Sequence, residues 1–291
     1  METRWMYVTS EEFVNLREIS CDTCLIPIGC VEKHGLHLPL GTDILEASNI
    51  AWKASQLETV CVFPDFIFGD VPGNWNSPPG TITLPMQTQL LLLEQLCEQI
   101  ARNGFKKIII YNCHGGNRIW LSAFMRDVEN RPHDYVPMVI HGQDSLVKRL
   151  GEKLTEEGSG SIPELTVEDE ELILGYYQGD FWEGGHAHFG ETAFIFGTAP
   201  ESVKMDRLGI VSGQSLHFGR KYREAGIDIR DGGWDISFPN GISGDDPVGC
   251  NERIGQASVR MEAERVAKAI KLIKEDTDLV RVHNQRWETN I

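Results

Sequence analysis

The chain has 291 residues, 41% hydrophobic and 24% charged, an ordinary globular balance with enough apolar material for a sizeable core. Asp and Glu outnumber Lys and Arg by 43 to 27, a formal charge of −16, and so acidic a surface repels nucleic-acid phosphates and anionic lipid. No uninterrupted apolar stretch approaches the roughly 20 residues needed to span a bilayer.

The first residues, METRWMYVTSEEF, lack the basic-then-apolar layout of a signal peptide. Thr9 followed by Glu12 is a capping-box pattern and opens a helix near 10–18. CLIPIG (24–29) reads as a buried strand, followed by a helix over 43–56 and a short strand, VCVF (60–63). A helix over 87–103 carries LLLLEQLCEQI and stops at Gly104. KIIIY (107–111) is a strand, 118–130 a helix, and VPMVI (136–140) a strand. The segment 143–180 is acidic and polar, with a GSGS centre, and reads as an inserted helical excursion or lid. AFIFG (193–197) is taken as a further strand. Residues 230–252 are rich in Gly, Asp and Asn and read as loop. Val259, Ala263, Val266, Ile270 and Ile273 then recur at helical spacing. Apolar strands alternating with helices imply one α/β domain over 1–291, its sheet covered on both faces and at least partly parallel. Ligands in such folds gather at the carboxyl ends of the strands.

Three clusters could carry chemistry there. In GCVEKHGLHLPLGTD (29–43), Glu32 and His34 project to one side of an extended segment, and Asp43 follows where a helix begins. Carboxylate, imidazole and carboxylate suit zinc, manganese or iron(II). A polar loop with Asp43 as a helix N-cap fits this cluster equally well. In YNCHGGN (111–117), a strand runs into His114, and two glycines must serve a tight turn or a close backbone approach. A lone His after a strand is more often structural than a ligand. A Cys113–His114 nucleophile pair is disfavoured because adjacent strand residues face opposite ways. WEGGHAHFGET (182–192) supplies His186, His188 and Glu191 beside the strand at 193–197. Cys21 and Cys24 have the spacing of a redox pair but no helix N-terminus to lower a thiol pKa. Seven cysteines, odd in number and scattered, make no disulfide framework. Cys24, Cys61 and Cys113 read as small buried residues, and a reduced cytoplasmic home is expected.

At these clusters the sequence resembles the creatininase (creatinine amidohydrolase) family. IPIGCVEKHGLHLPLGTD is similar to its Glu-x-His…Asp element, NCHGGN to its Asn-Gly-His-Gly-Gly-Asn turn, and HAHFGETA to its His-Ala-Gly-Glu-x-Glu-Thr-Ser segment. PGTITL (79–84) also matches. The resemblance implies a three-layer α/β/α sandwich, hexameric assembly and two divalent ions (Zn, Mn or Fe). It implies Glu32, His34, Asp43 and His114 as ligands, with Asp43 bridging. Creatininase proper draws its last ligand from a Glu where this chain has Gly116, and relatives with the Gly-Gly version look to Glu191. His186 is implied to act on the substrate, with Trp182 ahead of it as an aromatic cover. Cys113, His188 and Phe189 depart from the family pattern. GDVPGNWNSPPG places Trp75 and Asn76 where a Ser-x-x-His is common. With His188 and Trp75 taken as substrate contacts, these changes fall in the substrate half of the site. The expected activity is metal-dependent hydrolysis of a small cyclic amide or related C–N bond. A keto-inositol ring hydrolase is the alternative, and a catalytically inactive oligomeric ligand-binding relative the non-enzyme one.

Overall fold

The computed structural model describes all residues except 72–77, 143–145, 179–184, 228, 230–233, 245 and 289–291. Helix α1 (Ser10–Ile19) leads into strand β1 (Thr23–Ile28), and Thr9 and Glu12 form the expected capping box. There follow α2 (Thr42–Leu57), β2 (Cys61–Val62), α3 (Met86–Arg102), β3 (Lys107–Asn112), α4 (Asn117–Val128) and β4 (Val136–His141). Beyond the sheet come α5 (Leu146–Glu157), α6 (Val167–Gln178), α7 (Phe189–Thr198), α8 (Arg220–Glu224), α9 (Trp234–Ser237), α10 (Glu252–Glu275) and α11 (Leu279–Glu288).

The four strands run parallel in the order β2-β1-β3-β4. Their side chains alternate between two cores, as strand geometry requires. Leu25, Ile109 and Tyr111 face α2, α7 and α10, where Ala47, Ile50, Phe194, Val259 and Val266 close the core. Cys24, Ile26, Ile108 and Ile110 face α1, α3 and α4, with Leu16, Leu93, Ile100 and Trp120 packed on them. This is the three-layer sandwich. Ile28 pairs with Asn112, and Asn112 with His141, so three strands end level and their outgoing loops share one end of the sheet. All seven cysteines are free, Cys21 exposed and Cys24 buried. No helix among the described residues is long and apolar enough to cross a membrane.

One expected strand is a helix. Residues 193–197 belong to α7, a helix buried against α2 and α10. A short apolar run buried on most sides carries no period that separates strand from helix. Tertiary contact decides it. A Cβ on Gly197 would lie 2.3 Å from Gly255 O, and one on Gly255 would lie 2.6 Å from Ala193 O, so paired glycines let α7 and α10 touch backbone to backbone. The acidic segment forms α5 and α6, and Leu150, Leu154, Ile162 and Ile173 bury into the core on the α10 side.

Candidate metal centre

The loop leaving β1 and the loop leaving β3 meet over the N-terminus of α2. Gly29 makes this approach feasible, since a Cβ there would lie 2.6 Å from the Asp43 carbonyl carbon. Asp43, in the first turn of α2, is 1% exposed. Its Oδ1 lies 3.6 Å from His34 Nε2 and its Oδ2 lies 3.1 Å from His114 Nδ1. Glu32 Oε1 is 3.2 Å from His114 Nδ1, and Glu191 Oε2 is 3.4 Å from His34 Nε2. Three donor groups result among the described residues: Glu32–Asp43–His114 with Cys30 and His34–Asp43–Glu191, which share Asp43, and Glu32–His34–His186.

Each histidine is fixed through its other nitrogen. His34 Nδ1 lies 3.2 Å from Glu32 O, His114 Nε2 lies 2.7 Å from Asp70 O, and His186 Nε2 lies 2.7 Å from Lys33 O. A backbone carbonyl only accepts, so each of these nitrogens carries the hydrogen. In the neutral imidazole the opposite nitrogen then presents its lone pair to the carboxylates, the arrangement that metal-binding histidines use. Gly116 protects one of these bonds, because a Cβ there would lie 2.4 Å from Asp70 O and 2.6 Å from His114 Nε2. Asn117 Oδ1 in turn accepts from Asp70 N at 2.8 Å and holds that carbonyl's residue in place.

The electrostatics favour positive charge at this point. Burial opposes a charge on His34, but Asp43 and Glu191 prevail and raise its pKa to about 10. His114 rises to about 9, burial again opposing and Asp43 and Glu32 prevailing. Burial pushes Asp43 upward, yet His34 and His114 hold it well below the usual carboxylate range. Glu191 is raised to about 8 by burial, with His34 opposing. Burial and the neighbouring His34 lower both His186 and His37 to about 4. Glu32 Oε1 and His34 Nε2 are buried without a hydrogen-bond partner, a state that a bound cation would relieve. Nitrogen and oxygen donors sharing one ion at about 2.0–2.2 Å sit roughly 3–3.5 Å apart, and the histidine-to-carboxylate separations here, 3.1 to 3.6 Å, are of that order. The residues fit divalent cations.

The family model for creatininase, described as creatinine amidohydrolase, matches residues 6–270. The chain belongs to the creatininase family. Creatinine amidohydrolase of Pseudomonas putida is 21% identical over 192 residues, 63% of this chain and 67% of that protein. Mycofactocin precursor peptide peptidase of Mycolicibacterium smegmatis is 30% identical over 129 residues, 42% of this chain and 51% of that protein. The 3-dehydro-scyllo-inosose hydrolase of Thermotoga maritima is 30% identical over 96 residues, 33% of this chain and 30% of that protein. A crystal structure of creatininase superimposes with a TM-score of 0.70 at 18% identity, covering 94% of this chain and 99% of that one. A manganese creatininase does so with a TM-score of 0.67 at 16% identity, over 95% and 100%. The fold is thus creatininase-like, and the curated relatives are hydrolases.

Of the residues nominated from sequence, Glu32, His34, Asp43, His114, Glu191 and His186 converge. The His186 ring lies 4.1 Å from the His34 ring, and its Nδ1 lies 3.7 Å from Glu32 Oε1. Ala187 adopts a left-handed φ of 55°, which lets its N–H donate to the Glu191 carboxylate. Glu191 comes from the first turn of α7 rather than from beside a strand. His188 is at the N-cap of α7, buried with its ring 5.9 Å from Tyr176, and takes part in none of the donor groups. Trp182 and Trp75 lie outside the described residues.

Several contributors to this creatininase-family site went unread. Cys30 joins the first cluster, and its place two residues before Glu32 in an extended run was the available signal. Buried His37 bonds Thr192 Oγ1 at 3.1 Å. Ser243 Oγ accepts from His186 N at 3.1 Å, and Trp234 sets its ring edge-on to His186 at 5.0 Å. Trp234 opens the short helix α9 where the sequence read loop, and neither its place at the site nor that of Ser243 leaves a local trace in the sequence.

Proposed function

We propose that the chain is a metal-dependent hydrolase of a small molecule, acting on a cyclic amide or related C–N bond. The observation that carries this reading is the pair of buried donor clusters sharing Asp43, with each histidine's outer nitrogen fixed on a backbone carbonyl. Glu32, Asp43 and His114 would hold one divalent ion, and His34, Asp43 and Glu191 a second, zinc, manganese or iron suiting the donors. When bound, such ions lower the pKa of water from about 15.7 towards about 7 and polarise a carbonyl.

The chain's own residues do the rest. Asp43 and Glu32 concentrate negative charge at the sheet end and exclude anions. His114 and His34 are held in fixed tautomers by Asp70 O and Glu32 O. His186 is enclosed by the fold, and burial disfavours its charged form. Its Nε2–H is committed to Lys33 O, so Nδ1 is the atom that takes and returns a proton. Passing that proton to the leaving nitrogen completes C–N cleavage. Homohexameric assembly and a cytoplasmic location belong to the same reading, on the resemblance and on the free cysteines respectively.

The similarity to the Thermotoga hydrolase favours a second reading, opening of a cyclic keto-polyol at the same centre. Metal analysis and an amide, formamide and keto-inositol panel test both. Two ions per chain are expected, with ammonia or amine released from an amide. Asp43→Ala should lose metal and cut hydrolysis at least about a hundredfold. Full metal content and activity in Asp43→Ala would overturn the scheme. Ring opening of a keto-polyol without nitrogen release would select the second reading. Metal binding with no hydrolysis at all would leave a ligand-binding relative.

A further inference from the structure

Cys30 is a donor that the scheme above does not use. It is fully buried, two residues past the end of β1. Its Sγ lies 2.9 Å from Asp43 Oδ2. It belongs to a four-donor set with Glu32, Asp43 and His114 whose ligand atoms all lie within 4.8 Å of one another. Within the set, Glu32 Oε1 is buried without a hydrogen bond, 3.2 Å from His114 Nδ1. The His34–Asp43–Glu191 cluster contains no sulfur.

We infer that Cys30 is a ligand in its own right, binding through sulfur the ion held by Glu32, Asp43 and His114. The inference rests on the metal-centre reading and sharpens it. When the bond forms, the S–H bond breaks, the proton leaves to solvent and sulfur donates a lone pair to the ion. No electron is transferred. A neutral thiol is a weak hydrogen-bond donor and gives Asp43 little, whereas a thiolate bound to a cation is a strong ligand. The two halves of the centre then differ in kind. One offers sulfur, nitrogen and oxygen and selects zinc or cobalt over manganese, and the other offers only nitrogen and oxygen.

Cobalt(II) exchange tests this without reference to turnover. The full-length protein is stripped with chelator, reloaded with cobalt, and followed by bound-metal stoichiometry and near-ultraviolet absorbance. A thiolate-to-cobalt charge-transfer band is expected in the wild type and absent from Cys30→Ser, with circular dichroism confirming that the variant folds. Cys113→Ser should keep the band, since the Cys113 sulfur faces Gly142 instead. Cys30→Ser should also lower the zinc-over-manganese preference by about tenfold or more. If Cys30→Ser does not fold, the wild type and Cys113→Ser decide: a band in both supports the inference, and its loss in Cys113→Ser overturns it. Two cobalt ions bound without the band would refute the sulfur ligand and leave the metal centre standing. Failure of the wild type to bind cobalt would overturn both.

Discussion

Asn117 shows how much of the centre depends on residues that bind nothing themselves. Fully buried, it accepts from Asp70 N at 2.8 Å and Trp120 Nε1 at 2.7 Å and donates to Asn112 Oδ1 at 2.9 Å. Asn112 in turn bonds both the N–H and the carbonyl of His114. Asn117→Ala orphans several buried groups at about 1–3 kcal/mol each, so a loss of about 3 kcal/mol is expected by urea denaturation. Metal affinity, read by competition with a chelating dye, should fall about 10–100-fold because His114 loses its orientation. Lost stability with unchanged metal affinity would reduce Asn117 to a structural part. The difference between what was legible and what was not follows the same line. Glu32, His34 and Asp43 could be nominated because extended spacing and a helix start place them, whereas His114 after a strand reads by itself as structural and was nominated as a ligand only through the resemblance. Asn117 takes its meaning from its contact with Asp70 across the fold, which spacing does not encode.

At the scale of elements, strands and amphipathic helices were readable wherever a period of two or 3.6 survived. Helix α7 lost its period because almost every face is covered, so its identity came from α10. The acidic stretch before it illustrates charge put to structural use. Asp169 closes a capping box with Thr166 at the start of α6 and reaches across to α10. It accepts from Arg253 Nε at 2.7 Å and Asn251 Nδ2 at 2.7 Å. Glu164 pairs with Arg260 of the same helix. Burial pushes the Asp169 carboxyl upward, but the bonds from Arg253, Thr166 and Asn251 outweigh it and hold the pKa below the ordinary value. A depressed folded-state pKa contributes stability above the unfolded value, about 3.9, and that contribution fades as pH falls through the folded value. Asp169→Asn should therefore be about 2 kcal/mol less stable at pH 7. The gap from wild type should narrow steadily below about pH 4. Parallel denaturation curves that keep the gap constant down to pH 2 would refute the assignment.

For the molecule as a whole, the centre is a place where folding gathers charge against its own interest. Glu32, Asp43 and Glu191 are drawn from three parts of the chain into one buried spot, within a protein already carrying a net charge of −16. The unfolded chain holds these donors apart, so cations bind the native state far better and stabilise it by RT ln(1 + [L]/Kd), about 4 kcal/mol at a thousandfold excess over Kd. For a chain of this size that corresponds to a rise in Tm of about 7 °C. Scanning calorimetry of the chelated protein, with and without excess zinc, should show that rise and its reversal by added chelator. Asp43→Asn should lose most of the shift, because Asp43 serves both clusters and its loss weakens both at once. Glu191→Gln should retain a part, because Glu32, Asp43 and His114 remain together. A wild-type Tm indifferent to zinc would mean that the carboxylates are neutralised by their histidines alone, and the shared centre would have no cation to explain it.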